Sequence, residues 1–280
     1  MEMVLGVPAP GLRPLISHYH GYHERDAPPG RHRGLPSPYL TIIVTLDDPL
    51  TIAAHPDPRQ SPGRYDTLVG GLHTSPALIT NKGSQAGVQL ALSPLGARAL
   101  LGVPAGELRN LVVDGADVLG RTAHELHDRL NAVASWAERF MILDELLLRR
   151  ANLESVVPAE LARAWRVLLA TGGRAPVADL ARHVGWSSRH LSARFNAEIG
   201  LTPKAAARVV RFDRTRQTLQ QRAAAPPVLA DLAAESGYYD QAHLAREFRD
   251  LAGCSPTRWL AEEFRYIQAA PPVAAAHSTV

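Results

Sequence analysis

The chain has 280 residues, a formal net charge of +3 and 46% hydrophobic residues. This length fits two ordinary domains, each with a hydrophobic core, and the composition is too apolar for a disordered protein. The sequence shows neither a run of about 18 apolar residues nor an N-terminal secretion signal, so we expect no membrane partner. The single cysteine, Cys254, excludes an internal disulfide and a multi-cysteine zinc site. These features predict a cytoplasmic protein.

The charges are unevenly distributed along the chain. Residues 1–157 contain 14 basic and 16 acidic residues, whereas residues 158–280 contain 16 and 11. Within the second part, residues 174–222 carry 10 basic and 3 acidic residues, but residues 228–268 carry 4 and 7. A local basic excess favours binding to phosphate groups. A solvated arginine-rich helix surface would produce the same composition.

The first 115 residues are rich in proline and glycine, with short β-branched runs between them. The runs at 40–46, 77–80 and 87–92 predict strands, and residues 95–101 and 104–110 predict short helical turns. Short strands separated by turn signals indicate a small, mostly antiparallel β domain.

From residue 122 the hydrophobic spacing becomes helical. Apolar residues recur at intervals of three and four, and one long helix or two helices broken near Ser135 would both fit this pattern. The apolar stripe either packs on the β domain or forms a dimer seam, and the two roles are compatible. We therefore predict a β-rich sensing and dimerisation domain with C-terminal helices at residues 1–155.

An internal repeat occupies the last third of the chain. The offset between the copies is 52 residues before a turn and 53 after it, so one residue is inserted near Tyr239. The first copy contains Ala178-Asp179-Leu180-Ala181, Gly185-Trp186, Leu191, Phe195, Gly200 and Thr202-Pro203. The second contains Ala230-Asp231-Leu232-Ala233, Gly237-Tyr238, Leu244, Phe248, Gly253 and Ser255-Pro256.

Each copy predicts two short helices joined by a glycine turn. In the first copy, Gly185 can end a helix and either Ser187 or Ser188 can cap the next one. In the second copy, Gly237 and Asp240 have the same roles. This arrangement is the helix-turn-helix motif, whose second helix enters the major groove of DNA.

A long helix is predicted to connect the two copies. Thr202 and Pro203 form a start signal, and the helix at 203–221 can separate the modules by about 27 Å. The first module then spans residues 174–200 and the second spans 228–266. Residues 269–280 are rich in alanine and proline and predict a disordered tail.

These paired units resemble the DNA-binding domain of the AraC/XylS family of transcription regulators. The most diagnostic stretch is 237–248, followed by Gly253-Cys254-Ser255-Pro256, and the resemblance covers about residues 160–266. The segment 96–104 is similar to one that precedes this domain in some members. The resemblance implies an α+β protein, in which a mostly β N-terminal domain with trailing helices is followed by an all-α DNA-binding domain at 159–268.

The resemblance also implies which side chains contact DNA. Residues near the start and middle of each second helix are expected to reach base edges, namely Arg189, Ser192, Ala193, Gln241, His243 and Arg246. Phosphate contacts are expected from Arg194, Arg208, Arg211 and Arg249. Three alternatives stay open: Arg194 pairs with Glu198, His243 packs structurally against Tyr239, or Arg189 is a surface residue without a role.

The implied function is a ligand- or partner-controlled regulator that binds double-stranded DNA. The family implies activation by contact with RNA polymerase. A small-molecule effector is a candidate partner of the first domain, and we expect a homodimer formed through that domain. The charge distribution predicts that the first module supplies most of the salt-dependent affinity and the second most of the discrimination. No cofactor, metal ligand or catalytic residue is predicted.

The main alternative is an enzyme activity, metal-dependent or other, in the N-terminal domain. His18, His20 and His23 cluster in sequence, and two of them would share a strand face, but no further ligand has a compelling spacing. A DNA-alkylation repair activity needs several cysteines, and a serine hydrolase would show a Gly-x-Ser-x-Gly motif. An architectural DNA-binding protein would not need the upstream domain.

Overall fold

The computed structural model describes residues 2–25, 29–155, 157–226 and 228–269, with the backbone alone for 264–269. In these ranges the N-terminal half is built from short strands. They are β1 Glu2–Gly6, β2 Ile16–Glu24, β3 Gly30–Gly34, β4 Leu40–Thr45, β5 Leu50–Ala54, β6 Gly63–Tyr65, β7 Thr67–Gly70, β8 Ala77–Asn81, β9 Gln85–Leu92 and β10 Val112–Asp114.

The strands form two antiparallel sheets. The larger has the order β1-β2-β9-β4-β7-β10 and the smaller the order β3-β8-β5-β6. In the larger sheet, Ile42 of the central strand β4 lies opposite Leu90 on one side and Val69 on the other. The prediction of a mostly antiparallel β domain is confirmed, and the three predicted strands correspond to β4, β8 and β9.

Strand β4 is buried on both faces, which explains its continuous apolar sequence. Ile43 packs with Ile52 and Ile79 in a small cluster contributed by both sheets. Ile42 and Val44 have the opposite side-chain parity and belong to a larger cluster that also contains the helices. The larger sheet is therefore a middle layer between the smaller sheet and the helical part of the chain.

The helices follow and flank the sheets. They are α1 Ala97–Leu101, α2 Gly115–Leu119, α3 Arg121–Asn131, α4 Trp136–Arg150, α5 Ala159–Ala170, α6 Val177–His183, α7 Ser188–Glu198, α8 Pro203–Gln221, α9 Leu229–Ser236, α10 Gln241–Ala252 and α11 Pro256–Ala269. Further 3₁₀ turns span Pro94–Gly96 and Ala105–Leu108. The predicted disordered tail lies outside the described residues after Ala269. No helix within the described ranges is both long and apolar enough to cross a bilayer.

The helical stretch after residue 120 is two helices rather than one. Ser135 caps α4 by accepting a hydrogen bond from the backbone N of Glu138 at 3.2 Å, so the chain breaks at the predicted position. Leu130 and Leu143 are fully buried in the shared cluster, which confirms core packing for this stripe. Met141, on the same helix, is 62% exposed and therefore does not belong to that core.

The larger apolar cluster runs through both halves of the chain, while the smaller one lies between the two sheets of the N-terminal half. The closest approach of the two halves is between the 3₁₀ turn Ala105–Leu108 and the end of α7. A Cβ on Gly106 would collide with the backbone oxygen of Ala197. Gly200 has a φ of 88°, and a Cβ there would lie 3.1 Å from the Cα of Gly106. Glycine at both positions allows the backbones of the two halves to touch.

We expect Gly106→Ala to lower the free energy of unfolding by about 1–3 kcal/mol, because a methyl group at this position forces the two halves apart. Urea denaturation of the full chain measures the change. Gly70→Ala is the matched control, since its Cβ would lie 3.8 Å from the oxygen of Thr41, an ordinary contact. Equal stability of the two variants would contradict a tight interface at Gly106.

Candidate nucleic-acid interface

Helices α6 and α7 form the first helix-turn-helix module. Gly185 between them has a φ of 74°, a left-handed conformation that glycine adopts without strain. The backbone N of Trp186 then donates to the oxygen of Ala181 at 2.9 Å. The Ser187 side chain caps α7 by accepting from the backbone N of His190 at 3.2 Å. Of the two predicted caps, Ser187 has this role.

The second module, α9 and α10, repeats this geometry with one extra residue. Gly237 has a φ of 76°, and the backbone N of Tyr238 donates to the oxygen of Ala233 at 2.9 Å. Asp240 caps α10 by accepting from the backbone N of His243 at 2.6 Å. Tyr238 is thus the counterpart of Trp186, and Tyr239 is the inserted residue.

Each turn aromatic packs against a histidine in the first turn of the recognition helix. The ring centroids of Trp186 and His190 lie 4.6 Å apart, and those of Tyr238 and His243 lie 5.3 Å apart. His243 also accepts a hydrogen bond at Nδ1 from the backbone N of Tyr239 at 3.3 Å. His243, predicted to contact a base, is therefore engaged in the turn. The repeat contained the signal for this, because His190 and His243 occupy equivalent positions.

Both recognition helices bury the predicted apolar residues. Leu191 and Phe195 of α7 and Leu244 and Phe248 of α10 are 0% exposed. Their opposite faces carry most of the predicted base-contact residues: Arg189, Ala193, Gln241 and Arg246 are exposed or partly exposed, and Ser192 is partly buried.

Four polar side chains on these outer faces have no internal partner in the described part of the chain. The side chains of Arg189, Gln241, Arg246 and Arg249 make neither a hydrogen bond nor an ion pair with described residues. They lie at the start of α7 and along α10. These groups are consequently available to an external ligand that carries hydrogen-bond acceptors.

Arg194 is half-buried beside Glu198, with Nη2 3.5 Å from Oε1 of the carboxylate. The main partner of Glu198 is Arg98 of the N-terminal half, at 2.8 and 3.1 Å. Because the bidentate contact is already made by Arg98, Arg194 is held only weakly and can turn to a phosphate. The predicted alternative of an Arg194–Glu198 pair is present in this geometry.

Arg208 and Arg211, which were predicted to contact phosphates, are directed to carboxylates of α10. Arg211 binds both oxygens of Glu247, at 2.9 and 3.0 Å, and its side chain is 15% exposed. Arg208 donates to Glu247 at 3.1 Å and to Asp250 at 2.8 Å. A buried carboxylate competes with DNA for these guanidinium groups, and the geometry does not support phosphate contacts by either arginine.

Most of the basic excess at residues 174–222 is used inside the protein. Arg214 donates to the carbonyl oxygen of Leu169 at 2.8 Å, at the end of α5. Arg216 pairs with Asp213 at 2.7 Å and Arg222 with Glu235 at 3.1 Å. The net charge of this segment therefore overstates the positive surface that DNA would meet.

The sequence interpretation did not single out Tyr239 as a contact residue. Its side chain is 93% exposed and directly precedes Asp240, the cap of α10. An aromatic side chain with this exposure has no packing role in the chain. The signal in the sequence was the one-residue difference between the two repeat offsets.

The N-terminal half covers the distal end of α7. Besides the Arg98–Glu198 pair, Arg109 donates to the side chain of Asn196 at 3.3 Å. Asn196 lies one turn beyond Ala193 on the outer face of the helix. The N-terminal half thus contacts the third turn of the first recognition helix, where Asn196 and Ala197 are still exposed.

His20 of β2 lies close enough to Arg216 of the connector helix α8 to be affected by its charge. The rings of His18 and His20 lie 4.6 Å apart, as expected for residues on one strand face. Burial lowers the pKa of His20, and the positive charge of Arg216 lowers it further. Among the described residues, no group of three or more His, Cys, Asp or Glu side chains is placed to hold a metal ion.

Comparison with known proteins agrees with this division of the chain. Residues 180–262 match the family described as "Helix-turn-helix domain", and residues 6–114 match "Domain of unknown function (DUF6597)". No curated protein matches the chain.

Solved structures show the same overall fold. ToxT from Vibrio cholerae O395, bound to (E)-4-(8-methylnaphthalen-1-yl)but-3-enoic acid, aligns with a TM-score of 0.51 at 8% identity, covering 93% of this chain and 99% of ToxT. A second structure of ToxT from Vibrio cholerae, at 1.65 Å resolution, aligns at 0.50 and 8% identity, covering 87% and 97%. The AraC-like transcriptional activator CuxR aligns at only 0.27 with 15% identity, covering 78% and 86%.

The matched domain coincides with the two helix-turn-helix modules and the connector between them, and the β-rich half precedes it as in the solved fold. The predicted α+β class and the predicted resemblance are confirmed. The chain therefore carries a helix-turn-helix domain of the AraC type at residues 180–262, as expected of a DNA-binding transcription regulator.

Proposed function

We propose that the protein reads two successive major-groove segments of double-stranded DNA, one with α7 and one with α10. The observation that carries this proposal is the pair of exposed outer faces on two capped recognition helices. Each face has an arginine, Arg189 or Arg246, without an internal partner in the described structure. In a helix-turn-helix domain these faces are the surfaces that enter the groove.

The base contacts that we propose differ between the modules. In the first, Arg189 would contact guanine, while Ser192 and Ala193 provide a short hydroxyl and a methyl group. In the second, Gln241 is suited to adenine and Arg246 to guanine. We do not propose His243 as a base contact, because its Nδ1 accepts a hydrogen bond from the backbone N of Tyr239 and its ring packs against Tyr238.

The phosphate contacts that we propose are Arg194 and Arg249, one for each recognition helix. Arg208 and Arg211 are not proposed as phosphate contacts, since both bind Glu247. Tyr239 is added as a contact at the start of α10, where its exposed hydroxyl can donate to phosphate or sugar oxygens. The free backbone N–H groups at both helix starts favour phosphate as well.

Control by the N-terminal half is a further part of the proposal. Its docking onto α7 supports a ligand- or partner-dependent regulator, and the likeness to a fold crystallised with a carboxylic acid supports a small-molecule effector. We propose a cytoplasmic activator that contacts RNA polymerase, as the family resemblance implies. Genomic footprinting would locate its sites, and in vitro transcription from one of them would separate activation from repression.

We expect Arg189→Ala and Arg246→Ala each to weaken binding to a selected DNA site by about 1–3 kcal/mol and to relax specificity at one position. The reason is the loss of a bidentate contact to one base. Binding to the selected site and to its single-base variants, measured by fluorescence anisotropy, tests this. Arg182→Ala, which removes an exposed partner of Asp179, is the control. Unchanged discrimination in both recognition-helix variants would contradict the assignment.

We expect Arg249→Ala to reduce the slope of log affinity against log salt by about 1, because one phosphate contact is lost. Arg222→Ala should leave the slope unchanged, since Arg222 is another exposed arginine but pairs with Glu235. Arginines without an internal partner occur in both modules. We therefore propose that both modules contribute to the salt dependence of binding, in place of the expectation that the first module dominates it. A slope loss for Arg222→Ala, but none for Arg249→Ala, would refute it.

We propose that the protein forms a homodimer through α4. Met141 and Leu148, two turns apart on this helix, are 62% and 41% exposed, and Val7 of the adjoining N-terminal segment is 68% exposed. Exposed apolar side chains grouped in this way favour a second copy as the occupant. Met141→Glu is expected to give a monomer in sedimentation velocity, whereas Leu153→Glu, outside the patch, should not. A monomeric wild-type protein would exclude the dimer.

A further inference from the structure

Glu247 lies at the centre of a polar network between the connector helix and the second recognition helix. It belongs to α10, is 4% exposed, and accepts hydrogen bonds from two arginines of α8. Nε and Nη2 of Arg211 contact Oε1 at 3.1 and 3.0 Å, and Nη2 also lies 2.9 Å from Oε2. Arg208 joins the network from Nε to Oε2 at 3.1 Å, and Nε2 of His243 lies 3.8 Å from the same oxygen.

The network fixes the rotation of α10 as well as its distance from α8. A buried carboxylate is costly unless it is paired, so the two guanidinium groups must stay within hydrogen-bond reach. Their fork geometry is directional, which restricts sliding and rolling of the helix. The adjoining Phe212–Phe248 contact, with centroids 4.9 Å apart, contributes apolar packing that is less directional.

The other side of α8 is tied to α5, a helix that packs against α6 and α7 of the first module. Arg214 donates to the oxygens of Leu169 and Ala170 at the end of α5, at 2.8 and 3.4 Å. Thr202 caps α8 immediately after the first recognition helix. The connector is therefore fixed by Arg214 to α5, which packs on the first module, and by Glu247 to the second module.

The first module has no counterpart of this carboxylate. With the offset of 53 residues that aligns Phe195 with Phe248, the position of Glu247 corresponds to Arg194. Arg194 is half-buried and lies near Glu198 of its own helix instead of α8. The two modules are thus attached to the connector in different ways, although their turns and caps are alike.

We infer that Glu247 is a positioning residue that sets the placement of the second recognition helix relative to the first, and through it the spacing of the two DNA half-sites. The inference rests on the proposed function, in which both helices enter DNA. One base pair of extra spacing moves a half-site by about 3.4 Å and rotates it by about 35°. A rigid pair of modules cannot follow such a shift, whereas a loosened α10 can.

The test compares DNA sites that differ only in spacing. A site selected from random DNA by the full-length protein is lengthened or shortened by one base pair between its halves, and the first half-site is also measured alone. For wild type we expect a penalty of about tenfold or more for either change. For Glu247→Ala we expect weaker binding to the selected site and a penalty of about threefold or less, with binding to the first half-site unchanged.

Two further variants separate positioning from folding. Glu247→Gln keeps one acceptor oxygen and the shape of the side chain, so we expect an intermediate spacing penalty even if the alanine variant does not fold. Asp179→Ala removes a carboxylate from an exposed pair with Arg182 in the first module and should keep the wild-type penalty. A general loss of stability would weaken all spacings equally and leave the penalty unchanged.

The outcomes are distinct. Folded Glu247 variants that retain the wild-type spacing penalty would overturn the inference, and so would a wild-type protein indifferent to spacing. Loss of binding to the first half-site in both Glu247 variants would also overturn it, because the residue would then support the whole domain. Failure of the wild-type protein to bind any DNA would instead refute the proposed function.

Discussion

The burial of α8 is the constraint on which the C-terminal half depends. This one helix packs against α5, α7, α9, α10 and α11. Its apolar residues Val209, Phe212 and Leu219 are nearly inaccessible, and Asp213 and Thr215 are buried with them. Each buried polar group needs a partner, so the arginines of α8 are drawn to internal acceptors. The positions of both recognition helices therefore depend on the packing and the hydrogen bonds that α8 makes on each of its sides.

The burial of α8 changes how the positive charge of the C-terminal half is interpreted. A count of charged residues gives a strongly basic segment at 174–222, which includes the connector helix, and an acidic segment at 228–268. In the structure, Arg208 and Arg211 of α8 neutralise Glu247 of α10, so part of the imbalance is a division of one ion-pair network between two segments. The charges free to meet DNA are instead distributed over both recognition helices. The net charge of a segment therefore predicts its positive surface only when the ion-pair partner of each charged side chain is known.

Local features were predictable from the sequence, and pairings distant in sequence were not. Some features depend only on neighbours a few residues away, namely the glycine turns, the caps Asp240 and Thr202, and the burial of Phe195. The structure has each of them at the predicted position. For β2 the sequence predicted only a strand face shared by two histidines and not the extent of the strand. Its histidines, tyrosines and glycine do not alternate cleanly, and its register shifts between Ile16 and Tyr19. The partners Arg211 and Glu247 are 36 residues apart, so nothing in the local pattern joins them.

The close backbone contact between Gly106 and Ala197 has a thermodynamic consequence. Any molecule whose binding to the sheets favours or disfavours this contact changes the free energy of placing α7 on DNA. Linkage is reciprocal, so DNA must change the affinity for that molecule by the same factor. For such a molecule the operator would be an allosteric ligand of the β domain, and the response to the molecule would depend on the DNA sequence that is bound.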